Sequence, residues 1–215
     1  GYFETVTLSE DDLKRNDMYR ANAQRAKAQS RFADYHDYVL SLEMTAEIGD
    51  FSPLYLQRIT QLTNKSNQFN LTTKRYTAEQ MEAVYNSDEY IRLYGKLYDK
   101  FGDNGVVAVT IGKTDSEDKG RLDIELWLMS CRVLKRDMEL AMLDSLVAQA
   151  KKRGIREIYG HYYPTAKNKM VAGLYESFGF EKISQDEEGN TAWRLMVEGY
   201  EDKNTVIKVK EEHYA

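Results

Sequence analysis

The sequence predicts one α/β domain with a long helix ahead of it, and three observations carry that expectation. Leu122 to Met129 is a largely apolar run of strand length, as a central strand requires. Met138 to Arg153 sets Leu140, Met142, Leu143, Leu146, Val147 and Ala150 at helical spacing and stops at Gly154, which suits the left-handed position past a helix end. Around these two, short helix-like and strand-like segments alternate without internal repeats or a low-complexity linker.

Taken in order, residues from Ser9 to about Leu42 are charged and free of proline, with Ser9 as N-cap and Asp12 in a capping-box position, which predicts one long helix. Its apolar stripe is thin, so it packs narrowly on the body, either bridging to a further domain or serving as a plain N-terminal helix. Glu43 to Ile48 reads as a strand, Pro53 to Thr63 as a helix opened by proline, and Thr77 to Tyr85 as another helix. Tyr90 to Tyr98 and Val106 to Ile111 read as strands on either side of Phe101 to Gly105, whose Asn-Gly step suits a tight reversal. The acidic loop Thr114 to Gly120 leads into the central strand. Glu157 to Tyr163 is the next strand, Asn168 to Phe178 the next helix, and Glu181 to Ile183 with Ala192 to Val197 the last strands. Residues 1–42 thus form a helical extension, 43–200 the domain, and 201–215 a charged tail that reads as mobile.

Composition narrows the function classes. With 42% hydrophobic residues in 215, the chain has the means for one good core and contains no run approaching a membrane span. The lone Cys131 excludes an internal disulfide and a cysteine-cluster metal site, and with no visible secretory signal the expected setting is cytoplasmic. His36, His161 and His213 are too scattered to suggest zinc, so no metal is expected. A net charge of -5 argues against nucleic acid as a partner.

The least ordinary segment is Gln61 to Tyr76, QLTNKSNQFNLTTKRY. Asn64, Asn67, Gln68 and Asn70, with Thr63, Ser66, Thr72 and Thr73, are short polar side chains that hydrogen-bond neighbouring backbone and hold irregular loops in one shape. Two readings stand side by side, a structural loop and a functional one. The string resembles the "RIxQLxxKTNQFNLTTxRY" signature of the FkbH-like proteins, a family linked to methoxymalonyl- and glyceryl-acyl carrier protein biosynthesis. Arg58, Ile59, Gln61, Leu62, Lys65, Asn67 to Thr73, Arg75 and Tyr76 match, with Ser66 in place of threonine. Met129 to Leu134 is similar to that family's "MSCRVLGRGVE", and Tyr163 to Asn168 to its "YxPTxKN". The opening Leu8 to Asp12, Arg15, Tyr19 and Arg25 fit as well, so the resemblance spans essentially the whole chain.

The resemblance implies a whole enzyme that takes a phosphorylated three-carbon glyceryl donor, removes phosphate and loads the acyl group onto a carrier thiol. Members of the family carry a haloacid-dehalogenase-type domain with an Asp-x-Asp motif ahead of this region. No such motif occurs here, and the chain starts at Gly1 without methionine, so it is expected to be a C-terminal portion whose partners are that domain and an acyl carrier protein.

The element order β-α-α-β-β-β-α-β-α-β-β is that of the GNAT acyltransferase fold, and Leu174 to Phe180, LYESFGF, is similar to the end of the GNAT motif. This resemblance implies a mixed sheet flanked by helices. It also implies a coenzyme A site at the turn after the fourth strand, where an Arg/Gln-x-x-Gly-x-Gly/Ala pattern brings backbone N–H groups to a pyrophosphate at a helix N-terminus. Cys131, Arg132, Val133, Leu134, Lys135, Arg136 and Asp137 occupy that place, but Lys135 and Asp137 stand where the pattern has glycines. If the turn needs left-handed backbone, Lys135 loses about 1 kcal/mol relative to glycine. Asp137 would set a negative charge and a self-capping carboxylate where the pyrophosphate belongs. The cofactor is therefore open between coenzyme A, acetyl-CoA and the phosphopantetheine of a carrier protein, which carries one phosphate and asks less of the turn. Lys135, Arg136, Lys167 and Lys169 would form a positive edge there.

Further site residues follow from the same resemblance. Tyr175 aligns with the tyrosine that many GNAT enzymes use as general acid, against the alternative of a core tyrosine. Glu125 is the nearest candidate base. Cys131 could accept an acyl group, or be inert. Asn168 could bond a pantetheine amide or cap the helix that follows it. An active acetyl-CoA-dependent N-acetyltransferase and a non-catalytic docking domain remain as alternatives to the carrier-arm reading.

Overall fold

A computed structural model of the protein describes residues 10–211. The chain forms α1 (Glu10–Gln29), α2 (Tyr35–Ser41), β1 (Thr45–Gly49), α3 (Pro53–Lys65), α4 (Ala78–Tyr85), β2 (Tyr90–Asp99), β3 (Gly102–Thr114) and β4 (Arg121–Met129). There follow α5 (Met138–Lys152), β5 (Glu157–Tyr162), α6 (Leu174–Ser177), β6 (Glu181–Gln185), β7 (Thr191–Met196) and β8 (Lys208–Glu211). The strands make one sheet in the order β6-β7-β5-β4-β3-β2-β1-β8. Neighbours are antiparallel except for β4 with β5 and β1 with β8. α2, α5 and α6 bury one face of the sheet, and α3 and α4 bury part of the other.

The mixed sheet flanked by helices is as expected, and four local expectations are corrected. The single helix over Ser9 to Leu42 is two helices, because Asp34 turns the chain between them and caps α2, its Oδ1 accepting from His36 N at 2.9 Å. Ser9 itself lies outside the described residues. The reversal between β2 and β3 falls at Lys100 and Phe101, while Asn104 and Gly105 form a bulge opposite Leu97 in which the buried Asn104 amide donates to Leu97 O at 3.2 Å. The helix expected over Asn168 to Phe178 is broken into one 3-10 turn and the short α6.

The tail read as mobile is tied to the body. Asp144 on α5 accepts from Tyr200 Oη at 2.5 Å and from the backbone N–H groups of Lys203 and Asn204 at 2.9 Å each. Ile207 is buried, and β8 then adds a parallel edge strand to β1. Four residues with one apolar side chain, Val209, give no periodic signal of their own, so the strand exists only because the edge of β1 is there to pair with.

Candidate functional site

β4 and β5 are paired only over Arg121–Asp123 with Glu157–Tyr159. Beyond Asp123 they diverge, and the groups on their facing edges lose each other as partners. A bulge sets the divergence: the β3 register passes from Leu126 opposite Ile111 to Ile124 opposite Gly112, skipping Glu125. The skipped residue reverses the alternation, so Leu122, Ile124, Trp127 and Met129 enter one core while Leu126 and Leu128 enter the other. In α/β sheets, ligands bind in crevices at the carboxyl ends of parallel strands.

Here the chain fills that crevice with its own signature segment. Leu71 N donates to Trp127 O at 3.1 Å, Met129 N to Phe69 O at 3.0 Å, and Tyr163 N to Leu71 O at 2.9 Å, so residues 69–71 lie between the parted strands as a short extra strand. Thr72 Oγ1 donates to Glu125 O at 2.7 Å, which satisfies the carbonyl at the bulge. Asn70 accepts from Thr73 N at 2.9 Å and donates to Ser66 O at 3.2 Å, holding Thr73 at a φ of 51°. Arg75 closes the loop from outside, donating to Thr63 O, to Ser66 O and to Asn67 Oδ1, and so caps the open carbonyls at the end of α3.

Asn168 is fully buried and precedes a 3-10 turn, but its side chain makes no capping bond. Its amide donates at 2.9 Å to both Asn70 O and Tyr163 O, and its Oδ1 accepts from Thr165 N at 2.7 Å. Gln68 Oε1 accepts from the exposed Cys131 thiol at 3.1 Å.

The turn after β4 is built differently. A single 3-10 turn over Cys131–Val133 buries Val133, Leu134 packs on the main core, and Lys135 and Asp137 then take φ values of 61° and 66°. The left-handed backbone that glycine favours is therefore present without glycine. Tyr35 on α2 steadies it, its hydroxyl donating to Lys135 O at 2.7 Å. The self-capping carboxylate expected at Asp137 is absent: its side chain makes no capping bond, because the positive φ turns it away from the first turn of α5.

The positive charge at this end also differs from the expected lysine edge. Arg136 is buried rather than exposed, and its Nη1 lies 3.6 Å from Asp99, a carboxylate with no exposure. Arg25 of α1 grips both oxygens of the same carboxylate at 2.6 and 2.7 Å. Arg132 donates to Ser130 Oγ at 3.2 Å and to the Met18 thioether at 3.1 Å. Burial lowers the pKa of Arg132, and the neighbouring cations Arg58 and Arg25 lower it further. Arg25 and Arg58 were present in the motif matches, but their sequence separation from Arg132 hides that they converge.

Tyr175 and Glu125 do not meet. Tyr175 is sealed in the core at 1% exposure against Trp127 and Phe180, so near to β5 that a Cβ at Gly160 would stand 2.4 Å from its ring. Burial drives its phenol pKa upward. A general acid must reach its proton acceptor, and this one is enclosed, so the expected acid is corrected to a core residue. Glu125 projects from the bulge and pairs with Lys74 at 3.1 Å.

Two residues before the bulge stands a pair that the sequence reading missed. His161 Nε2 lies 2.8 Å from Asp123 Oδ1, and Arg121 grips the same carboxylate at 2.9 Å. Burial opposes the charged form of Asp123, but the hydrogen bonds from His161 and Arg121 outweigh it and hold the carboxyl below its ordinary value. Only the alternation of β4 and β5 puts the two on one face, and that requires the strand pairing.

No protein-family model and no curated protein matches the chain. Solved structures match in fold. The ribosomal-protein-S18-alanine N-acetyltransferase of Escherichia coli is 14% identical with a TM-score of 0.53, over 75% of this chain and 99% of that one. The GNAT domain of S. lividans PAT is 15% identical with a TM-score of 0.54, over 69% and 89%. The yncA protein of Salmonella typhimurium, solved with its cofactor acetyl-CoA, is 14% identical with a TM-score of 0.53, over 74% and 96%. The chain has the GNAT acetyltransferase fold.

Proposed function

We propose that this chain is the acyl-handling domain of an FkbH-like enzyme, and that it binds and positions the phosphopantetheine arm of an acyl carrier protein at the carboxyl end of β4. The observation that carries the reading is the turn before α5, where Lys135 and Asp137 keep φ at 61° and 66° although neither is glycine. Backbone strain of this kind persists where the surrounding structure enforces it, and it gathers at functional sites. The family motifs in the sequence supply the carrier protein as partner, and the fold supports acyl transfer as the general chemistry.

The geometry equips the domain for positioning more than for independent catalysis. Tyr175 is enclosed, and the crevice between β4 and β5 is filled by residues 69–72. A bond change would then draw its chemistry from another domain of the enzyme. The second reading is an acetyl-CoA-dependent transferase, which the fold neighbour solved with acetyl-CoA favours. In that case Glu125, or His161 oriented by Asp123, would be the base.

Calorimetry of the chain with holo carrier protein, apo carrier protein and acetyl-CoA separates the two, with turnover of acetyl-CoA followed in parallel. The carrier reading predicts micromolar binding of the holo form, at least about tenfold weaker binding of the apo form, and no turnover. Acetyl-CoA turnover on an amine acceptor would establish the second reading. Equal binding of holo and apo forms would remove the arm from the account.

A further inference from the structure

Among the described residues, four guanidinium groups from α1, α3 and the turn after β4 stand near one another, and only one carboxylate pairs with any of them. Arg25, Arg58, Arg132 and Arg136 come from three segments, α1, α3 and the turn after β4, and Asp99 is the one carboxylate that Arg25 and Arg136 share. Among the described residues no carboxylate pairs with Arg58 or Arg132. The acceptors of Arg132 are a hydroxyl and a thioether, and a thioether is a weak one. Arg136, 8% exposed, has its Nη1 buried without a hydrogen bond.

Burial penalises a charge that lacks an opposite one, and cations held together penalise each other. Both effects act here: burial and then Arg25 lower the pKa of Arg136, and burial lowers that of Arg58. Asp137 and Glu139 stand at the same end of α5, but their charges act on Tyr35, on the α2 side of the turn. Among the described residues, the charges that act on Arg132 are the cations Arg58 and Arg25. An anion that accepts from several guanidinium forks at once relieves this arrangement, and phosphate is the anion those forks fit.

We propose that Arg58 and Arg132, backed by the Arg25–Asp99–Arg136 group, form a binding site for a phosphate ester, the 4'-phosphate of a phosphopantetheine. This rests on the reading that the domain handles such an arm. Recognition of the phosphate by side chains from α3 and from the end of β4 accounts for the loss of both turn glycines, since the backbone at Lys135 and Asp137 no longer has to approach the phosphate. It also gives α1 a role, because Arg25 fixes the Asp99 carboxylate that faces Arg136, and Met18 accepts from Arg132.

The test is titration calorimetry of the whole chain with 4'-phosphopantetheine, pantetheine, coenzyme A, holo carrier protein and inorganic phosphate, repeated on Arg58→Ala, Arg132→Ala and Arg132→Lys. Thermal unfolding of each variant checks that it folds. Phosphopantetheine should bind at least about tenfold more tightly than pantetheine, as expected for charge-assisted hydrogen bonds to one phosphate. Either alanine variant should abolish the difference, and Arg132→Lys should restore part of it because the charge survives without the fork. The same arginine dependence with coenzyme A or with holo carrier protein identifies which molecule presents the phosphate.

Equal affinity for phosphopantetheine and pantetheine, unchanged in the variants, would overturn the phosphate site and leave the carrier reading standing. Arginine-dependent binding of inorganic phosphate, with no binding of any pantetheine compound, would overturn the ligand assignment and the carrier reading together.

Discussion

The crevice between β4 and β5 and the turn at the end of β4 are neighbours in space and opposites in bonding. In the crevice, the buried polar groups of Asn70, Thr72 and Asn168 find partners inside the chain. At the turn, two backbone positions are strained, Arg25 and Arg136 share the one carboxylate of Asp99, and Arg132 feels the cations Arg58 and Arg25. A polar motif whose bonds close on themselves is architecture, however unusual its sequence. Unanswered charge is what points to a ligand.

The largest expected effect tests the turn. Asp99→Asn leaves Arg25 and Arg136 buried without a counter-charge and should lower stability by about 3–5 kcal/mol in urea unfolding. If the arginines bind anions, millimolar phosphate should recover part of that loss in the variant and add less to the parent. A loss under about 1 kcal/mol would mean that solvent reaches the group and the charge imbalance has no force.

Next in size is the crevice. Asn168→Ala removes the bonds to Asn70 O, Tyr163 O and Thr165 N in a fully buried site and should cost about 3 kcal/mol, since each unsatisfied group costs about 1–3 kcal/mol. Thr72→Val removes only the bond to Glu125 O and should cost about 1–2 kcal/mol. If ligand binding survives Thr72→Val unchanged, the crevice acts as scaffold. A change in affinity with little change in stability would make it part of the site.

A smaller effect of opposite sign is expected at Lys135. Glycine there relieves a φ of 61° and should raise stability by up to about 1 kcal/mol, partly offset by the freer unfolded chain. Destabilisation by Lys135→Gly would show that the lysine side chain, not the backbone, holds the turn.

The smallest effect is a pH dependence at the root of the crevice. Asp123 has a folded-state pKa below its unfolded value of 3.8, so the stability it contributes is present above that pH and is lost as pH falls through the folded value. Acid unfolding of Asp123→Asn should therefore start from lower stability at neutral pH and show a shallower fall below about pH 4 than the parent. Parallel curves would place the Asp123–His161 pair outside the energetics of the fold.

Much of the architecture was legible in the chain, because β4 and α5 carry local periodic signals and Gly154, at a φ of 74°, ends its helix as the pattern suggested. The break between α1 and α2 was not, since Asp34 reads as one more polar residue on a charged helix until its carboxylate is seen capping the turn. The site was legible in part. Arg132 to Asp137 were recognisable as a run, and left-handed backbone at Lys135 was considered there as a condition, while the positive φ of Asp137 was not foreseen. The divergence of β4 from β5 is a property of pairing between distant segments, so no local pattern could place residues 69–72 in the gap. Of the two readings of Tyr175, general acid and core tyrosine, its enclosure by the apolar neighbours Leu174, Phe178 and Phe180 supports the core one.

Hydrogen exchange with and without holo carrier protein tests the contrast between the two regions most directly. The amides of Leu71, Met129 and Tyr163 should stay as protected in the complex as in the free protein, while those from Arg132 to Leu140 gain protection. Loss of protection at Leu71 and Met129 on binding would contradict the account, because it would mean that the arm displaces the signature segment and enters the crevice between β4 and β5.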